Sequence, residues 1–120
     1  MAPITVLVVD DDAHFRRMAA ELLTGRGYVV VAQAADGEEA IAECARTRPD
    51  AALVDVNLPD TDGFALAKAL TDSASSLRVL LTSTDGDAAT SRALAEVGAA
   101  GFVPKIELAV TDLAPYLGEG

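Results

Sequence analysis

Residues 4–12 read Ile-Thr-Val-Leu-Val-Val-Asp-Asp-Asp, and the fold follows from how that stretch is built. Its apolar part is nearly continuous in branched side chains instead of alternating with polar ones, as in a strand covered on both faces. It then stops at three consecutive carboxylates. Four more short runs of this kind follow, at Tyr28–Ala32, Ala51–Val56, Val79–Ser83 and Gly101–Val103.

Between these runs the apolar spacing changes to three and four residues. Phe15, Met18, Ala19, Leu22 and Leu23 define a first helix after Asp12, which the spacing assigns as its cap, and Gly25 and Gly27 end it. A second helix, capped by Asp36, carries Ala40, Ile41, Cys44 and Ala45 and ends at Pro49. A third begins at Gly63 with Phe64, Ala67 and Leu70. A fourth carries Ala89, Ala93, Leu94 and Val97 and closes at Gly98. A last helix is expected from Glu107 to about Leu117, with Pro115 inside it. Strand–helix alternation in so short a chain implies an α/β domain: five parallel strands with helices on both faces. Ligands of such sheets bind beyond the carboxyl ends of the strands, where the strand order reverses.

The chemistry-bearing residues fall at that edge. The first strand ends in Asp10-Asp11-Asp12, the third reaches Asp55, the fourth ends in Thr82-Ser83-Thr84, and Lys105 follows the fifth. Carboxylates within ~4 Å repel by about 4 kcal/mol per pair at an effective dielectric near 20. A hard divalent cation removes that cost, and an all-oxygen site with few protein ligands suits Mg²⁺. One carboxylate then remains to act as a nucleophile toward a phosphoryl group on the metal.

The net charge of −10 argues against direct nucleic-acid binding. No apolar run reaches the ~18 residues of a membrane span, and MAPITVLVVDDD does not read as a signal peptide. We therefore expect a cytoplasmic chain with no membrane partner. Cys44 stands alone and reads as a small apolar residue on a helix face. A nucleotide- or flavin-binding module would need a glycine- or hydroxyl-rich loop after the first strand, where three acids stand instead.

Four segments together resemble the receiver domain of two-component response regulators: LVVDDD at 7–12, ALVDVNLPDTDGF at 52–64, VLLTST at 79–84 and GFVPK at 101–105. The match spans nearly the whole chain, so residues 1–120 are expected to be a single receiver domain. The resemblance implies a doubly wound, flavodoxin-like (βα)₅ order. It implies Asp55 as phospho-acceptor, Mg²⁺ held by Asp10, Asp11, Asp55 and the backbone carbonyl of Asn57, and Lys105 paired with the phosphoryl group. Ser83 would be the switch hydroxyl, because it lies 22 residues before Lys105, the family's usual separation; Thr82 and Thr84 stay open beside it. Phe102 would occupy the aromatic switch position, without the hydroxyl of the commoner tyrosine. Asn57 and Asp85 would tune hydrolysis of the acyl phosphate.

The implied function is a phosphorylation-dependent signalling switch. A sensor histidine kinase or histidine phosphotransfer protein would donate the phosphoryl group. The domain would catalyse its own phosphorylation and dephosphorylation without turning over an external substrate. An output domain or protein would read the change on the helix 4–strand 5–helix 5 face, where a homodimer would also form. Two departures stand out: Phe102 lacks the phenolic hydroxyl of tyrosine, and many receivers have proline after the lysine, whereas here Pro104 precedes it and Ile106 follows. A phosphatase-like enzyme would need a second acid two residues after Asp55, where Asn57 stands.

Overall fold

The computed structural model describes residues 2–84 and 91–119. Its strands are β1 (Thr5–Val9), β2 (Val29–Ala34), β3 (Ala51–Asp55), β4 (Arg78–Ser83) and β5 (Gly101–Pro104). All pair in parallel, in the order β2-β1-β3-β4-β5. This is the flavodoxin-like doubly wound order expected from the sequence. The order reverses between β1 and β3, so Val9 and Val54 are register partners and Asp10 and Asp55 leave the sheet side by side.

The continuous apolar runs are explained by two cores. Leu7, Val9, Val54 and Leu81 face one layer, with α2 (Gly37–Thr47) and α3 (Gly63–Ser73) contributing Ala40, Cys44, Leu66 and Leu70. Val6, Val8, Leu53, Leu80 and Val103 face the other, with Phe15, Ala19 and Leu23 of α1 (Ala13–Gly25). Neighbouring residues of one strand thus serve opposite cores, and neither face is free to be polar. Cys44 is buried among these side chains, and burial pushes its thiol above the ordinary cysteine range.

The helix starts are set by carboxylates. Asp12 Oδ1 accepts from the backbone N–H of His14 at 2.9 Å, Asp36 Oδ1 from Glu39 at 2.8 Å and Asp62 Oδ1 from Ala65 at 2.7 Å. Each satisfies a donor that the first helical turn cannot pair internally. The fourth helix, α4, is Ser91–Glu96, and Gly98 follows at φ 72°; Ala89 lies outside the described residues.

The last helix differs from the expectation. In place of one helix from Glu107 there is a 3₁₀ segment, Lys105–Val110, and then a short α5, Ala114–Leu117. Pro115 has no N–H to give the carbonyl of Thr111, and its ring would clash with that carbonyl in a continuous helix. The restart puts Pro115 in the first turn of α5, where no donor is required. The freed carbonyls have another partner: the Arg26 guanidinium donates from Nη1 to Thr111 and from Nη2 to Ala109. Leu113 and Leu117 still reach the α1-side core. Among the described residues, no helix is long and apolar enough to cross a membrane.

Candidate functional site

Asp10 is the first residue after β1 and is fully buried. Its Oδ1 accepts from the N–H of Asp12 at 2.8 Å, and the Arg16 guanidinium donates to its backbone carbonyl. Its Oδ2 is buried, receives no directed hydrogen bond, and has the Lys105 ammonium 2.6 Å away as a charge contact. Burial raises the Asp10 carboxyl above the usual range; pairing with Lys105 and the Asp12 N–H oppose this, while the charge of Asp55 adds to it.

Asp55 ends β3, also buried, and its Oδ1 accepts from the N–H of Asn57 at 3.1 Å. Its Oδ2 lies 3.3 Å from Lys105 Nζ. Asp11 is exposed, yet one carboxylate oxygen each from Asp10, Asp11 and Asp55 fall within 4.8 Å of one another. Three hard oxygen donors in that span, two of them on buried carboxylates, fit a small divalent cation. Burial alone would lower the Lys105 pKa, but pairing with Asp10 and then Asp55 outweighs it and carries the ammonium above its ordinary value. The Lys105 Nζ also sits 4.2 Å from the centroid of the Phe15 ring, within cation–π range.

The loop after Asp55 is folded tightly. Asn57 and Asp62 form an antiparallel bridge, and Gly63 N–H donates to the Val56 carbonyl at 2.7 Å. A Cβ at position 63 would come within 2.4 Å of the Asp55 carbonyl oxygen and 2.7 Å of Val56 Cα. Glycine is therefore required there by close backbone approach.

The three hydroxyls at the end of β4 differ. Thr82, opposite Asp55 in register, is buried and donates its hydroxyl to the Val103 carbonyl at 2.7 Å, tying β4 to β5. Ser83 is fully buried one residue further, and Thr84 is exposed. Phe102, opposite Leu81, is half-buried against the α2–α3 core. Asp85 lies outside the described residues. The structure thus brings Asp10, Asp11, Asp55 and Lys105 together at one sheet edge. One contact was missed in the sequence: Phe15, read only for its place in the first helix, lies under the Lys105 ammonium. A ring five residues after the first acid was the only available signal for Phe15.

With this geometry in view, comparison with known proteins is direct. Residues 6–113 match the family model for the response regulator receiver domain, and the chain belongs to that family. It is a receiver domain of the two-component response regulators. A protein-glutamate methylesterase/protein-glutamine glutaminase of Archaeoglobus fulgidus is 36% identical over 95% of this chain and 33% of its own length. The transcriptional regulatory protein PdtaR of Mycobacterium tuberculosis is 32% identical over 96% of this chain and 55% of its own. The chain thus spans about a third of the methylesterase relatives and about half of PdtaR. Among solved structures, a LuxR-family two-component response regulator from Aurantimonas sp. SI85-9A1 superposes with a TM-score of 0.80 at 30% identity, covering 87% of this chain and 75% of that one. The response regulator domain of Thermotoga maritima CheB gives 0.76 at 29% identity, covering 93% and 85%. Receiver domains in general bind Mg²⁺, and Asp10, Asp11 and Asp55 form an acidic group that could hold a metal ion.

Proposed function

We propose that Asp55 accepts a phosphoryl group from a phosphohistidine on a histidine kinase or phosphotransfer protein. One carboxylate oxygen of Asp55 forms a bond to phosphorus as the phosphorus–nitrogen bond of the donor breaks, and the histidine nitrogen leaves with the electron pair. Asp10, Asp11, Asp55 and the Asn57 carbonyl would hold Mg²⁺, which neutralises the phosphoryl oxygens when bound. Lys105 is already between the two buried acids and needs only a small shift to pair with an incoming oxygen anion. The N–H of Asn57 orients the Asp55 carboxylate, leaving Oδ2 toward the lysine. Hydrolysis reverses the charge flow: water attacks phosphorus and Asp55 leaves as the free carboxylate, with Asn57 and Asp85 tuning the approach of water.

The buried Asp10–Lys105–Asp55 contact carries this reading, because it concentrates charge that a phosphoryl group and a metal together would balance. Ser83 is our choice as the hydroxyl that binds the phosphoryl group, since it lies 22 residues before Lys105 and is buried at the end of β4, whereas Thr84 faces solvent. Phe102 would repack as Ser83 is drawn in. Moving a two-state domain from 1:99 to 99:1 takes about 5.5 kcal/mol of differential interaction; a dianion held by Lys105 and Ser83 in one state only belongs to the stronger class of hydrogen-bonded contacts. The change would be read by an output domain or protein on the α4–β5–α5 side, in the cytoplasm, where two copies could also pair. Incubation with acetyl phosphate and Mg²⁺, read by intact-mass spectrometry, tests the assignment. Wild-type protein should gain one phosphoryl group and Asp55→Asn none; a wild type that stays unmodified overturns it.

A further inference from the structure

The β3–α3 loop is anchored to a helix that takes no part in the chemistry. Asp60, at the tip of that loop, accepts from two consecutive amides at the start of α2: Gly37 N–H to Oδ1 at 2.8 Å and Glu38 N–H to Oδ2 at 3.0 Å. The helix's own cap, Asp36, reaches only Glu39. Ala40 is the first residue to pair within the helix, with the Asp36 carbonyl. The donors that open α2 are therefore divided between its own cap and a residue more than twenty positions away. The two amides also hold the Asp60 carboxyl below the usual range, the Gly37 contact being the larger cause.

The contact is close as well as polar. A Cβ at position 37 would lie 2.6 Å from Thr61 Cγ2 and 3.3 Å from Asp60 Oδ1. On the other side the loop is closed by the Asn57–Asp62 bridge. Asn57 is thus fixed from below by β3, from across the loop by Asp62, and through the tip by α2.

We propose that Asp60 is a positioning residue for the Mg²⁺ site: by clamping the loop tip to the first turn of α2, it sets where the Asn57 carbonyl points. This rests on the metal reading given above. Loss of the clamp leaves the three carboxylates in place and lets the fourth oxygen donor wander. The α2 terminus and the metal site are then coupled in both directions, because thermodynamic linkage is reciprocal.

The test is a Mg²⁺ titration of the whole chain without phosphoryl donor, followed by the backbone amide shifts of Asp11 and Asn57. Asp60→Ala should raise the half-saturating Mg²⁺ concentration about 10-fold, the low end of the loss when a group orienting a metal ligand is removed. Asp60→Asn, which keeps one acceptor, should recover part of it. Gly37→Ala, which keeps the carboxylate but pushes on Thr61, should also weaken binding, and Thr61→Ser in the same chain should relieve it. The labelling defect of Asp60→Ala with acetyl phosphate should shrink as Mg²⁺ rises, which mere destabilisation of α2 would not produce. Wild-type half-saturation in Asp60→Ala overturns the positioning role alone. A wild type with no response to Mg²⁺ overturns the metal reading, and this one with it.

Discussion

The Lys105 ammonium stands 2.6 Å from Asp10 Oδ2, nearer than the 3.3 Å that separates it from Asp55 Oδ2. The lysine therefore serves first as counter-ion to Asp10. If Asp55 is the acceptor, as proposed, its distance to Lys105 is what changes on phosphorylation.

That arrangement predicts an unusual effect of neutralising Asp10. A carboxyl whose pKa is raised in the folded state binds its proton more tightly there than in the unfolded chain. Stability from this group therefore falls as pH rises from the unfolded value near 3.8 through the folded value. At neutral pH without Mg²⁺, Asp10→Asn should raise the melting temperature by a few degrees, equivalent to about 1 kcal/mol. With saturating Mg²⁺ the wild type should gain and the variant should not. Calorimetry with and without the ion checks both signs.

Lys105 should give the opposite dependence in alkali. Its ammonium is raised in the folded state, so its contribution is complete below the unfolded value of 10.5 and is lost as pH rises through the folded one. Urea midpoints measured from neutral pH into that range should fall more steeply for wild type than for Lys105→Met. Parallel curves would remove the lysine as the cause.

Thr82 and Ser83 should separate structure from signalling. Thr82→Val deletes the buried donor to the Val103 carbonyl and should cost about 1–2 kcal/mol, with faster hydrogen exchange along β5, while acetyl phosphate still labels Asp55. Ser83→Ala should abolish the shift of the Phe102 ring signals on phosphorylation, while acetyl phosphate still labels Asp55. If Thr82→Val removed that shift as well and Ser83→Ala spared it, the assignments would be exchanged.

Arg26 should hold the end of the chain. Its guanidinium donates to Ala109 and Thr111, and Tyr28 beside it donates to the Gly118 carbonyl. Replacing Arg26 with Met should cost about 1–2 kcal/mol, since hydrogen bonds to charged groups exceed neutral ones. Local exchange should rise first at 105–118. Uniform loss of protection would show that the segment is held by its core leucines instead.

Local patterning carried the strands and the first three helices, because their apolar spacing and capping residues are written within or next to each segment. Leu7 and Val8 face opposite cores, so an unbroken apolar run could only be a covered strand. Asp12 and Asp36 cap the helices directly after them, and such contacts are visible two or three residues away. The last helix was not legible. Pro115 signals a break without saying where the chain restarts, and the partner of the freed carbonyls is Arg26, more than eighty residues earlier. Asp60 was opaque for the same reason, because in a run of loop acids only the folded chain shows which reaches α2. The acids and lysine of the site were legible because strand ends carry them to a common edge by topology alone. Phe15 was read only as core, and its second contact exists only once β5 brings Lys105 over it.

Gly63 leaves no space between the Asp55 carbonyl and the opening turn of the next helix. Strand and helix are joined there like the two arms of a rigid bracket. Any twist of the peptide at position 55 is passed to the base of α3 without play. The main chain beneath the Asp55 side chain is thus fixed at its tightest bend.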